Sequence, residues 1–312
     1  MSRVLSFLGL GLVLHLLLAV AYIRGVASSH DARRQDAKWL VGPREVELMV
    51  AGDSHARFAV EAPLLGLAIN IAVPGEHYLK TQYRVPWLLD HGSRAVGTVL
   101  LPFDAASFSS FKTDSFEPER VWGRYVDWFE LGAHKGQRFA YAGKWAKDEL
   151  GPYVGELETV LQYLTRSRHF RDPTDPGASL ALAVFEDGPT VARRHFEGAD
   201  PFDPDMVWAF RRILADLEER GIRVILVRYP VTAGYSRAAE GYGATRELRD
   251  RLFDEVGDPG VVDQIDLEEA FVGKREYFGD ADHLSHLGKR QFTRLLADEL
   301  IGFGITVRGG AR

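Results

Sequence analysis

Val46-Glu47-Leu48-Met49-Val50-Ala51 runs directly into Gly52-Asp53-Ser54-His55. A short apolar run closed by Gly-Asp-Ser reads as a buried strand feeding a turn. Similar runs recur along the chain. Ala68–Val73 (AINIAV) ends in Pro74-Gly75, and Ala95–Leu101 (AVGTVLL), Ile222–Val227 (IRVILV) and Val261–Ile265 follow. Helices are expected between them: over 76–89, with a bend at Pro86, over 204–220, and over 286–301 at the C-terminal end. The 204–220 helix has Asp203 as N-cap, Pro204 at its first position and Gly221 past its end. Its Met206, Val207, Phe210, Ile213, Leu214 and Leu217 recur at helical spacing. Strands alternating with helices predict an α/β fold, a three-layer sandwich around a mainly parallel sheet. The stretch 105–200 breaks this rhythm and is expected to be a helical insertion. It carries Trp122, Trp128 and Trp145 and a loop rich in Asp, Pro and Gly near 171–188.

The chain has 312 residues, with 38 Lys and Arg against 44 Asp and Glu, a formal charge of −6. That balance excludes the broad basic footprint of a nucleic-acid binder. Hydrophobic residues at 46% and charged residues at 26% are a globular balance. The absence of cysteine removes disulfides, thiolate catalysis and cysteine zinc sites together. Val4–Ile23 has no charged side chain and, as a helix, would extend ~30 Å, the thickness of a bilayer core. A transmembrane signal anchor over 1–24 is the preferred reading. A cleaved signal peptide ending at Gly25-Val26-Ala27 and a buried soluble helix are the alternatives. Residues 25–44 then form a polar juxtamembrane stalk, and 45–312 form the body. Arg24, Arg33, Arg34 and Lys38 follow the apolar run, while Arg3 precedes it. The positive-inside rule alone would leave the body in the cytoplasm, against the chemistry that follows.

A serine on a strand-to-helix turn presents its hydroxyl at the carboxyl end of the sheet, where α/β sites form. Serine needs a base. Asp280-Ala281-Asp282-His283, just before the last helix, offers an imidazole with a carboxylate three residues earlier to fix its tautomer. Asp282 is the alternative orienting acid. An early Gly-Asp-Ser block, a late Asp-x-x-His block and Asn70-Ile71-Ala72-Val73-Pro74-Gly75 between them resemble the SGNH, or GDSL-like, hydrolase superfamily. Ala72 stands where the family's N-x-G-x-x-G block has its first glycine. The resemblance implies Ser54 as nucleophile, His283 as base and Asp280 as its orienting acid, with the N–H groups of Ser54 and Gly75 in the oxyanion hole. The family's G-x-N-D block supplies a further donor from an asparagine, and here Leu101-Pro102-Phe103-Asp104 puts Phe103 in that place. Losing one such donor can cost ~10²–10³ in rate.

Gly-Asp-Ser-His, Asn-x-Ala-x-Pro-Gly with Tyr78 soon after, and Asp-x-Asp-His-Leu-Ser look most like the SGNH domains of membrane-anchored, alginate-type polysaccharide O-acetylation proteins. This implies acyl transfer to, or removal from, a glycan hydroxyl outside the bacterial inner membrane, beside a membrane-bound O-acyltransferase. It implies no cofactor. Two other readings stand beside it: an idle SGNH-like domain that binds glycan or acts as scaffold, and an esterase of small lipids. Asn70, Asp104 and His55 are further candidates for the site. Arg228, after the 222–227 strand, is either a substrate-positioning residue or a structural ion pair. Asp282, His283 and His286 lack a further ligand cluster, so no metal is expected. The tryptophans of the insertion either stack on sugars or pack within it. His77 is expected on a helix surface.

Overall fold

The computed structural model describes residues 2–42, 45–92, 95–111, 122–154, 156–166, 186–256 and 262–307. The expected loop near 171–188 lies mostly outside them. The chain divides into two compact units, Met1–Arg34 with Glu117–Leu180, and Gln35–Phe116 with Ala181–Arg312.

The larger unit is an α/β fold on a five-stranded, all-parallel sheet. Its strands are β1 (Leu48–Val50), β2 (Ala68–Asn70), β3 (Thr98–Pro102), β4 (Arg223–Arg228) and β5 (Val262–Asp266), in the order β2-β1-β3-β4-β5. Each lies within or against one of the apolar runs. Leu48, Val50, Leu100, Ile225, Val227 and Ile265 share one hydrophobic cluster with Phe292, Leu296 and Leu300. The last three belong to the C-terminal helix, His286–Gly302. Strand residues alternate in direction, so the fully buried Met49, Val99, Leu101, Val224 and Leu226 face the opposite side. The Pro204–Glu219 helix packs on β4 there, burying Met206, Phe210, Ile213 and Leu217. In the order 2-1-3-4-5, connections leave β1 and β3 in opposite directions, and the crevice at their carboxyl ends is the natural ligand position.

Among the described residues the α-helices are, in chain order, α1 (Ser2–Ala21), α2 (Asp31–Val41), α3 (Ser54–Ala59), α4 (Tyr78–His91), α5 (Trp128–His134), α6 (Arg138–Leu150), α7 (Leu157–Arg166), α8 (Gly188–Phe196), α9 (Pro204–Glu219), α10 (Ala233–Gly241), α11 (Arg246–Val256) and α12 (His286–Gly302). A π-helical segment, Tyr22–Ala27, follows α1. The stretch Val4–Ala27 is long and apolar enough to cross a membrane.

Two expectations need correction. The stalk does not run to residue 44 as a polar tether, because the second half of α2 is part of the larger unit. Gln35, Asp36 and Trp39 are buried, and the Trp39 indole donates to the Leu88 carbonyl at 2.7 Å. The Arg84 guanidinium of α4, 0% exposed, donates to Asp36 Oδ1 at 3.0 Å, Glu76 Oε2 at 2.7 Å and the Ile71 carbonyl at 3.0 Å. The insertion is also shorter than 105–200. Ala105, Ala106, Val191, Ala192 and Phe196 form one cluster with Val231, Tyr235 and Ala239 of the larger unit. In the smaller unit Trp122 and Trp128 are buried and Trp145 is exposed.

Candidate active site

Ser54 is the first residue of α3, immediately beyond β1. Asp53 caps that helix by accepting from the His55 N–H at 3.0 Å. Gly52 has φ +119°, and a Cβ there would lie 2.5 Å from Pro102, so this turn takes only glycine. As the first helical residue, Ser54 has no carbonyl one turn back for its N–H. Gly75, with φ +74°, leaves open space beside its Cα.

The turn before α12 supplies the base. Asp280 Oδ1 accepts from the Asp282 N–H at 3.1 Å and the His283 N–H at 2.8 Å, which folds the segment back on itself. Thr232 clamps the turn to the end of β4, its N–H and hydroxyl both donating to the Ala281 carbonyl at 2.9 Å. His283 Nε2 then lies 2.8 Å from Ser54 Oγ, and His283 Nδ1 lies 2.9 Å from Asp280 Oδ2. The three residues are brought together in hydroxyl–imidazole–carboxylate order. Asp282 Oδ1 also approaches His283 Nδ1, at 3.2 Å. Both weighed acids therefore reach the same nitrogen, and Asp280 is the closer.

His55 is buried behind this triad. Its Nδ1 is 2.8 Å from Asp104 Oδ2 and its Nε2 is 3.2 Å from Asp282 Oδ2. Both partners are acceptors, so only the imidazolium satisfies both contacts. The His55 and His283 rings meet edge to face with centroids 5.3 Å apart. Burial opposes protonation of His55, but Asp104, Asp282 and Asp53 outweigh it and hold its pKa well above the usual histidine value. Burial likewise opposes protonation of His283. The Asp282 charge and the hydrogen bonds that His283 donates to Asp280 and Asp282 outweigh it, and the nearby His55 opposes them, leaving a pKa of about 9. Burial pushes the Asp282 carboxyl up, yet His283 and His55 together hold it well below the usual carboxylate range.

Three expected site residues turn out to be braces. The Asn70 amide donates to the Ala56 and Val60 carbonyls at 2.9 and 3.0 Å and accepts from the Ala72 N–H at 3.0 Å. These bonds hold the backbone of α3 against β2, and both amide N–H groups are used on it. Asp104 accepts from the Tyr229 N–H at 2.8 Å as well as from His55, and so stands one residue removed from Ser54. Arg228, 1% exposed, pairs with Asp266 at 3.2 Å and with Asp250. Of its two expected roles, the structural ion pair is the one formed. Phe103 is wholly buried against Phe108 and Phe210.

His195 joins this network without a sequence signal. It closes α8, its Nδ1 lying 3.0 Å from the Tyr235 hydroxyl and 3.9 Å from Asp282 Oδ2. No motif surrounds it, so only the fold could bring it here. His77 was expected on a surface but is buried as the N-cap residue of α4. The donor atoms of His55, Asp282 and His283 lie within 4.8 Å of one another, and His286 is outside this group. Their ring nitrogens lie within hydrogen-bonding distance of Asp104, Asp282, Asp280 and Ser54.

No family model matches the chain, and no curated protein does. Among solved structures, one described as a "putative platelet activating factor" from Streptococcus pneumonia aligns over 86% of this chain and 91% of that chain, with 12% identity and a TM-score of 0.44. That likeness is too weak to assign a fold family or an activity.

Proposed function

We propose that this protein is a membrane-anchored SGNH-like serine acyltransferase or esterase acting on acyl esters of a cell-surface polysaccharide. The observation that carries the reading is the Ser54–His283–Asp280 arrangement, with contacts of 2.8 and 2.9 Å. The Ser54 hydroxyl gives its proton to His283 Nε2 as Oγ attacks the acyl carbonyl, and the C–O bond to the leaving group then breaks. The leaving alkoxide takes the proton from His283, and the acyl group remains on Ser54. Asp280 fixes the orientation of the imidazole and faces the cation that forms. The N–H groups of Ser54 and Gly75 stabilise the tetrahedral oxyanion. Water as second acceptor gives an esterase, and a sugar hydroxyl gives a transferase.

In this reading the α/β unit is a three-layer SGNH-type sandwich. α1 anchors it in the bacterial inner membrane with the body extracytoplasmic, beside a membrane-bound O-acyltransferase. Ser54→Ala is expected to abolish both aryl acetate cleavage and labelling by a serine-reactive phosphonate. Undiminished labelling of the variant would remove Ser54 as nucleophile. A second reading, an idle glycan-binding or scaffold domain, is favoured by Phe103, which brings no donor to the site. Polymer modification that persists in cells carrying Ser54→Ala would select it.

A further inference from the structure

The smaller unit contains more than the apolar helix. His15 lies within α1, and its Nδ1 is 2.8 Å from the Tyr153 hydroxyl, with ring centroids 5.5 Å apart. Tyr153 belongs to the turn joining α6 to α7. Helix α7 packs on α1 and on the Tyr22–Ala27 segment. A Cβ on Gly25 would lie 2.1 Å from the Tyr163 ring, so the two helices approach as closely as glycine allows.

A polar side chain inside a membrane-crossing helix needs a partner from the protein. Tyr153 is that partner, so the α6–α7 turn reaches the depth of His15. Residues buried by protein begin at Tyr22. His15 is six residues earlier than Ala21, ~9 Å along the helix axis. The exposed surface of this hairpin carries large apolar side chains among charged ones. Phe139 is 96% exposed, Leu150 68%, Val154 54%, Leu164 53%, Leu161 51% and Trp145 41%. Arg138, Lys147 and Glu149 are exposed beside them on α6. Charge at that density in a 13-residue helix suits the bilayer interface and is too great for crossing.

We propose that the α6–α7 hairpin is a second membrane contact. Its turn is sunk in the leaflet against α1, and its Phe, Trp and Leu side chains lie at the boundary of headgroups and acyl chains. Lipid is the occupant because the face is continuous with the α1 surface, and Tyr153 ties the two at a common depth. The proposal rests on the reading of α1 as a bilayer-crossing helix.

The absence of cysteine makes the test direct. Val154→Cys and Leu161→Cys in the full chain, each carrying an environment-sensitive fluorophore, are reconstituted in phosphatidylcholine–phosphatidylglycerol vesicles. Leu12→Cys serves as the lipid control and the exposed Glu240→Cys as the aqueous control. The labels at 154 and 161 are expected to be quenched by nitroxide-bearing lipids about as strongly as the label at 12, and to resist iodide. Iodide quenching equal to that at 240 would overturn the proposal, and so would protection from both quenchers, which means cover by protein. Iodide quenching of the label at 12 would sink the bilayer reading of α1 and the hairpin contact with it.

Discussion

Asp282 holds two imidazoles with one carboxylate, Oδ1 facing His283 and Oδ2 facing His55. This sets the pH behaviour of the site. His283 must be neutral to accept the Ser54 proton, yet Asp280 and Asp282 favour its cation, His55 disfavours it, and its pKa is about 9. Activity on an aryl acetate, as kcat/KM, is therefore expected to rise about tenfold per pH unit and level near 9. Asp282→Asn should move that limb to lower pH by removing the largest force that raises His283. His55→Gln should move it higher by removing a neighbouring cation. The readout is the midpoint of the profile, and unchanged midpoints in both variants would refute the coupling. The same groups govern stability. Raised imidazoles favour folding fully below their unfolded pKa of 6.5, and the His283 share is lost as pH rises through about 9. The depressed Asp282 favours folding above its ordinary 3.8 and loses that share as pH falls through its lowered value. His55→Gln leaves Asp104 and Asp282 without their shared cation, at an expected cost of ~3–5 kcal/mol in urea unfolding.

The α2–α4 contact carries a second buried charge cluster. Arg84 serves both Asp36 and Glu76, so two acids share one cation. Burial raises the Glu76 carboxyl to about 7, Arg84 and Thr81 oppose it, and Asp36 adds to it. A carboxyl whose pKa rises on folding favours the folded state below its ordinary value of 4.5, and that contribution fades as pH climbs to about 7. Arg84→Met should destabilise the body by ~3–5 kcal/mol, since both acids lose their partner. The triple variant Asp36→Asn, Glu76→Gln, Arg84→Met should recover much of that loss in urea unfolding. No recovery would mean that the Arg84–Ile71 bond, and not charge pairing, carries the stability. This element also shows where sequence reading stops. Strands β1, β3 and β4 were legible because buried parallel strands are continuous apolar runs. The Asp280–His283 pair was legible because its partners are three residues apart. Helix α2 reads as a polar tether because its burial depends on Leu88, 49 residues after Trp39. The bridging role of His55, a candidate by its place beside Ser54, is opaque for the same reason, its partners being 49 and 227 residues away. Asn70 was legible as a motif residue, but only the neighbouring Ala56 and Val60 carbonyls reveal its bracing role.

At the scale of the whole molecule, the proposed function requires the larger unit to lie on the outer side of the bilayer. Arg24, Arg33, Arg34 and Lys38 on the body side outnumber Arg3 and the amino terminus, and the positive-inside rule weighs such cations near a span. The fold changes their weight. Arg34 pairs with Asp31 at 3.4 Å, the Arg33 guanidinium lies 5.3 Å from the centre of the Tyr125 ring, and Lys38 donates to Gln35 at 3.2 Å. Three of the four are thus tied to protein groups, Arg34 to a carboxylate that offsets its charge. The proposed chemistry, ester exchange on a surface polymer, requires the outer face. In intact cells a membrane-impermeant maleimide is therefore expected to label Glu240→Cys, which lies exposed on α10, without permeabilisation. Labelling that appears only after the membrane is opened would put the body in the cytoplasm. The serine site would then act on a cytoplasmic ester, and the polysaccharide reading would fall while the triad chemistry stood.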